Sequence, residues 1–213
     1  MPQNQLVRSY LELRRAVGML GVLLPVILPV GVIVFERGIG FPDTISGYVG
    51  TVMGGTLVGI VFAMGVFLYF YVGYESAPED PDMLPTDKVA TNLAAVFAIG
   101  VALLPVTTEV DLVRVLHGVS ATLLFIMFAV ISLWYFTRGP ANPTPEKLTR
   151  NRVYRTSGIA ILVSIALIGL YALLPDDTPI ASIKPVFWLE STALWAFGWA
   201  WFVKGNGIKP LND

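Results

Sequence analysis

Cysteine is absent from the 213 residues, and histidine occurs once, as His117. Without a thiol there is no disulfide, no thiol catalysis, no thiolate-bound zinc and no iron–sulfur cluster. A single imidazole excludes a multi-histidine metal centre within one chain. The sequence therefore calls for no metal and no cofactor. Charge is scarce too: 14% of residues are Asp, Glu, Lys or Arg, against about 25% in an ordinary soluble domain. A water-facing surface cannot be built from so few ions. The formal net charge is −1 and the isoelectric point near 5.8, which leaves no basic face of the kind nucleic acid requires. No nucleic-acid partner is expected.

What fills the chain instead is apolar: 55% hydrophobic residues and a mean hydropathy of +0.70. Runs long enough to cross about 30 Å of hydrocarbon need roughly 20 residues. On that criterion the sequence predicts an all-α polytopic transmembrane bundle of about six helices. The expected spans are about 17–35, 49–72, 89–104, 112–136, 156–174 and 185–203, within a single transmembrane domain over 1–213. The first carries Pro25 and Pro29 one turn apart, a pattern that removes backbone hydrogen bonds and predicts a kink. Its basic flank (Arg8, Arg14, Arg15) resembles a signal peptide, but the apolar stretch is too long and lacks a small-residue cleavage site, so a retained helix is expected. Eleven Lys and Arg fall on the side that would hold both termini, and three (Arg37, Arg114, Lys184) on the other. By the positive-inside rule, both termini are expected in the cytoplasm.

The loops are punctuated by Pro78, Pro81 and Pro85, and later by Gly139-Pro140, Pro143 and Pro145. Arg14, Arg15 and the group from Lys147 to Arg155 read as topogenic charges placed where anionic headgroups attract them. The octets Val61–Leu68 and Val96–Leu103 resemble one another. An inverted repeat would pair span two with span five, so no transporter repeat follows. In span two, Gly50 and Gly54 are four apart, as are Gly55, Gly59 and Ala63. Such small-xxx-small patterns allow helices to approach closely, within the bundle, in a homo-oligomer or against a partner membrane protein.

Span six holds Trp188, Trp195 and Trp199 within about 40° on a helical wheel, with Glu190 opposite Trp188. The tryptophans read as a lipid-facing stripe, which turns Glu190 inward. In span four, Arg114, His117, Ser120 and Ala121 share a face, and Ser46, Tyr48 and Thr51 enter span two at a similar depth. Ionisable groups inside a bilayer are functional suspects. A carboxylate, an imidazole, an arginine and hydroxyls at one level supply either an acid–base site or a structural hydrogen-bond network. Asn92 in span three reads as an interhelical hydrogen bonder.

Several stretches resemble a family of bacterial six-span membrane proteins without an assigned activity. They include Leu13-Arg14-Arg15-Ala16-Val17-Gly18, Ile45-Ser46-Gly47-Tyr48, Leu116-His117, Arg150-Asn151-Arg152-Val153-Tyr154-Arg155 and Pro185-Val186-Phe187-Trp188-Leu189-Glu190-Ser191. The topology is also similar, more distantly, to Frag1/DRAM-type proteins. The family has Met-Arg-Asp where this chain has Met53-Gly54-Gly55. The resemblance implies a bacterial cytoplasmic membrane and directs interest to Ser46, Tyr48, His117 and Glu190. Three functions are then open. The first is binding or moving a lipid or small amphiphile at the outer leaflet, in a pocket of His117, Glu190, Arg114, Ser120, Ser46 and Tyr48, with membrane lipids as partners. The second is a lipid-modifying enzyme using His117 and Glu190 as acid and base. The third is a structural partner subunit that packs through the Gly50/Gly54/Gly55/Gly59 face.

Overall fold

The computed structural model describes residues 2–36, 38, 40–73, 86–139, 142–175, 178–208 and 211, with backbone alone for 2–6. Pro78, Pro81, Pro85, Pro140, Arg37 and Lys209 lie outside the described residues. Among those described there are six α-helices and no strand. The helices are α1 (Pro2–Phe35), α2 (Gly54–Tyr69), α3 (Asp87–Leu103), α4 (Asp111–Val130), α5 (Pro145–Tyr171) and α6 (Pro185–Lys204).

Among the described residues, three helical stretches are long and apolar enough to cross a membrane: Val7–Phe35, Asp111–Tyr135 and Pro145–Tyr171. Gly54–Tyr69 is apolar but shorter. α6 has 20 residues, which suffices by length, and it includes the four tryptophans, Glu190 and Lys204. The outward faces are apolar. On α1, Val17, Leu24, Leu28 and Val32 are buried while Leu23, Val26, Val30 and Ile33 are exposed. On α5, Ile161 is buried while Ile159, Leu162, Val163 and Leu167 are exposed. Apolar surface on this scale marks a chain built to meet something other than water.

Local chemistry sets the helix ends. Thr86 caps α3 by accepting from the Val89 amide, and Thr144 caps α5 by accepting from the Lys147 amide at 3.1 Å, with Pro145 in the first turn. α1 continues through Pro25 and Pro29. α2 begins at Gly54, later than its hydropathy predicts, because Ser46–Gly50 forms a 3₁₀ turn and Thr51 is extended. α4 runs into a π-turn, Ile131–Tyr135, closed by the Phe136 amide donating to the Ile131 carbonyl at 2.9 Å.

Small residues let the helices meet. A Cβ on Gly18 would lie 2.7 Å from the Gly198 carbonyl oxygen, and one on Gly198 would lie 2.6 Å from that of Gly18. This reciprocal contact seats α1 against α6. The contrast with α2 is direct: nothing lies within 4 Å of a Cβ on Gly55 or Gly59, and Gly50 sits outside the helix. Of the glycines expected to make close contacts in span two, Gly55 and Gly59 therefore face open space within this chain, whereas Gly54 is packed against the Val49 carbonyl. On α2 the close approach is made by Gly65, where a Cβ would lie 3.3 Å from the Ala95 carbonyl oxygen of α3.

The contacts alternate in level along the chain. The early part of α1, the start of α3, the end of α4, the start of α5 and the end of α6 gather at one end. Arg15 Nε donates to the Gly205 carbonyl at 2.7 Å, Arg138 pairs with Asp87 at 2.9 Å, and Lys147 Nζ donates to the Phe136 carbonyl at 3.0 Å. The opposite end joins the 3₁₀ turn, the α3–α4 connection and the start of α6.

Candidate functional site

The polar layer predicted from the sequence lies at the end away from the two termini, and the structure divides it. Glu190 Oε2 accepts from the Ile45 amide at 2.5 Å. Lys184, the left-handed residue that precedes α6, donates to the Phe41 carbonyl and lies 3.1 Å from Asp43. Together these two side chains dock the loop before the 3₁₀ turn onto the start of α6. Tyr48 is fully buried, with its ring 6.1 Å from that of Phe187, and its hydroxyl has no partner.

His117 Nδ1 lies 2.6 Å from the Leu104 carbonyl oxygen. That oxygen belongs to the end of α3, where Pro105 stops the helix and leaves late carbonyls to be satisfied from outside. A cavity of about 20 Å³ between His117 and Ser46, floored by Val61 and Ala102, has room for about one water. His117 Nε2 is buried without a partner, and Ser46 and His117 both line this space. Glu190, Arg114, Ser120 and Tyr48 do not line it. Arg114 is exposed and pairs with Asp111 one turn away. Ser120 packs against α3, where its Oγ would meet a Cβ on Gly100 at 2.7 Å. The layer therefore brings Ser46 to His117 and the Ile45 backbone to Glu190, while His117 and Glu190 share no hydrogen bond.

The tryptophan stripe faces outward. Trp188, Trp195 and Trp199 are exposed, and Trp195 Nε1 donates to the Val22 carbonyl at 3.1 Å. Trp201, off that stripe, is buried.

The larger cavity, about 290 Å³, lies at the end that holds both termini. Its cationic lining comes from Arg14 on α1, Arg138 after α4, Lys147 and Arg150 on α5, and Lys204 at the end of α6. Lys147 and Lys204 are buried. Tyr154 adds an aromatic ring to the lining, and further rings pack beside it. Phe136 meets Tyr154 at 5.3 Å and Trp201 at 5.2 Å between ring centroids, and Trp201 meets Tyr71 at 4.9 Å. Lys204 Nζ lies 5.1 Å from the Phe136 ring centre, and the Arg14 guanidinium lies 4.3 Å from that of Tyr10. Cation–π attraction of about 0.5–2 kcal/mol each offsets part of the cost of burying these charges.

The π-turn helps build this site. It shifts the end of α4 so that Phe136 is buried under Lys204 and its carbonyl receives Lys147. Asp87 enters from α3, pressed against Gly73, whose positive φ of 70° and contact with the Asp87 side chain leave no room for a Cβ. Burial, reinforced by Lys147 and Arg14, pushes the Lys204 ammonium from 10.5 down to about 7, against the upward pull of Asp87. Like charges forced together out of water are costly, and sites that keep them are candidates for binding an opposite charge.

Read from the sequence, these cations have an orienting role. They are far apart in the chain, and no spacing joins Arg14 to Arg138 or Lys204. The available signal was that every one of them falls on the same side of the predicted bundle. Compared with protein-family models, curated proteins and solved structures, the chain matches none.

Proposed function

We propose that this is a six-span membrane protein, with both termini on the cytoplasmic side, that holds an amphiphile by its anionic head in the basic cavity. The carrying observation is the convergence of Arg14, Arg138, Lys147, Arg150 and Lys204 on one cavity of about 290 Å³, with Tyr154 in its lining. The apolar exterior supports a membrane setting, and the basic end is the one the positive-inside rule assigns to the cytoplasm. The amphiphile expected from the sequence thus has its polar contacts at the basic end. The small space beside His117 suits a water rather than a headgroup, and the separate backbone partners of His117 and Glu190 favour a structural role for both.

The test is retention of lipid by purified protein. Protein reconstituted with phosphatidylcholine and phosphatidylglycerol, then extracted gently, is expected to carry phosphatidylglycerol in native mass spectra. Lys147→Gln/Arg150→Gln is expected to lose at least about tenfold in retention, since each surface-proximal cation contributes about 1 kcal/mol toward anionic lipid. Unchanged retention in a folded double variant would refute the reading.

A further inference from the structure

We propose that the occupant of the basic cavity presents a phosphate monoester, doubly charged, in preference to a singly charged diester; this rests on the reading that the cavity holds an anionic head. The cations approach from separate directions, because α1, the segment after α4, α5 and α6 each contribute at least one. A phosphate monoester offers three terminal oxygens to such a surround, whereas a diester offers two. Charge-assisted bonds from Arg and Lys to terminal phosphate oxygens are the strong ones. Asp87 balances one of the five cations, and two charges on the ligand balance more of the remaining positive charge than one does.

Three further features suit that group. The first turn of α5, with its Thr144 cap, lines the cavity, and a helix N-terminus favours anions. Arg14 Nε is buried without a hydrogen-bond partner, and Arg14 lines the same cavity. A volume of about 290 Å³ is several times the roughly 30 Å³ share of a water molecule. There is room for a phosphate and for the first atoms of whatever it esterifies. A lipid phosphate and a soluble phosphate monoester share this chemistry.

Lys204 gives the site a pH signature. The charged and titratable groups facing it are Arg14 from α1, Asp87 from α3, Arg138 after α4, and Lys147, Arg150 and Tyr154 from α5. Burial first, and then the crowding of these cations, lower Lys204 to about 7, and a dianion placed among them draws the proton back. For an anion that stays doubly charged, affinity is therefore full below pH 7 and falls as pH rises, by up to about tenfold per unit while Lys204 must recapture its proton; a phosphate monoester also gains its own second charge near pH 6.

The experiment uses the full chain in phosphatidylcholine nanodiscs, with phosphatidic acid, phosphatidylglycerol, soluble glycerol phosphate and sulfate as probes. Phosphatidic acid is expected to outbind phosphatidylglycerol by about tenfold, the equivalent of one added charge pair of about 1.4 kcal/mol. Sulfate, doubly charged throughout, is expected to weaken between pH 6 and 8, and Lys204→Arg is expected to flatten that dependence while keeping affinity. Equal binding of the two lipids, both lost in Lys147→Gln/Arg150→Gln, would overturn the monoester inference and leave the anionic-head reading standing. Binding of glycerol phosphate with no lipid retained would support the monoester and refute the amphiphile. No binding of any probe would overturn both.

Discussion

The two ends of this bundle hold their ionisable side chains in different ways. Away from the termini, polar groups are largely answered one to one by backbone or by a neighbour. Glu190 takes the Ile45 amide, His117 meets the Leu104 carbonyl, Lys184 takes the Phe41 carbonyl, and Arg114 pairs with Asp111. At the basic end, five cations surround one cavity, and their neighbours include one another. The first arrangement closes a structure. The second leaves a concentrated positive potential that a ligand can use. Residue type alone does not separate the two, since both ends hold ionisable side chains beside buried aromatic rings. What separates them is the company each charge keeps: Arg138 pairs with Asp87 and Lys147 donates to the Phe136 carbonyl, yet these cations line one space with Arg14, Arg150 and Lys204, whereas Glu190 and His117 are held separately.

The largest effect that would break this contrast is on packing. Gly198→Leu would drive a side chain into the Gly18 carbonyl, already 2.6 Å from a Cβ. Overpacking of this kind costs about 1–3 kcal/mol and sometimes more, so thermal unfolding in detergent is expected to show a clear loss. Gly59→Ala meets nothing within 4 Å and is expected to be neutral or to stabilise by up to about 1 kcal/mol through helix propensity. A large loss at Gly59 would show that another helix covers that position.

Next in size is Glu190→Ala, which strands the Ile45 amide and is expected to destabilise by about 1–3 kcal/mol. Glu190→Gln keeps an acceptor and is expected to cost less. Neither should alter lipid retention at the basic end, and a selective loss of retention in either would merge the two regions that the account separates. His117→Ala leaves the Leu104 carbonyl without its imidazole partner, and a smaller loss of about 0.5–1.5 kcal/mol is expected, the net worth of a typical hydrogen bond.

The smallest effect is the pH dependence of the unliganded fold. Lys204 is near 7 when folded and 10.5 when free, so between those values the unfolded chain binds more protons. Stability is then expected to rise with pH across that window, with the full penalty of the buried charge present below it. Lys204→Met should remove the slope in a denaturation series from pH 6 to 10.

Much of the fold was legible in the sequence because apolar runs near twenty residues have few alternatives. The helical core of each expected span is present, from Val17 in α1 to Val203 in α6. The start of α2 was not legible. The apolar run is expected to begin at about Val49, and only the backbone shows that Ser46–Gly50 turns as 3₁₀ and separates Gly50 from Gly54. The π-turn after α4 leaves no compositional mark either, although it places Phe136 and its carbonyl in the basic site.

Of the site residues, Glu190 and His117 stood out because charge in a span is rare, and the structure gives both a backbone partner. Arg14, Lys147 and Lys204 were hidden because cations flanking spans are ordinary. Their convergence depends on how four segments pack, which no local pattern records. Trp201 was masked in the same way by its neighbours: it lies two residues from the outward Trp199 yet is buried against Phe136 and Tyr71.

The central claim is that the basic end binds a ligand while the opposite end holds the fold together. Phosphatidic acid retention by native mass spectrometry, compared between Lys204→Met and His117→Ala at pH 6.5, tests it most directly. The account predicts several-fold weaker retention in Lys204→Met and wild-type retention in His117→Ala. Wild-type retention in Lys204→Met together with loss in His117→Ala would contradict it.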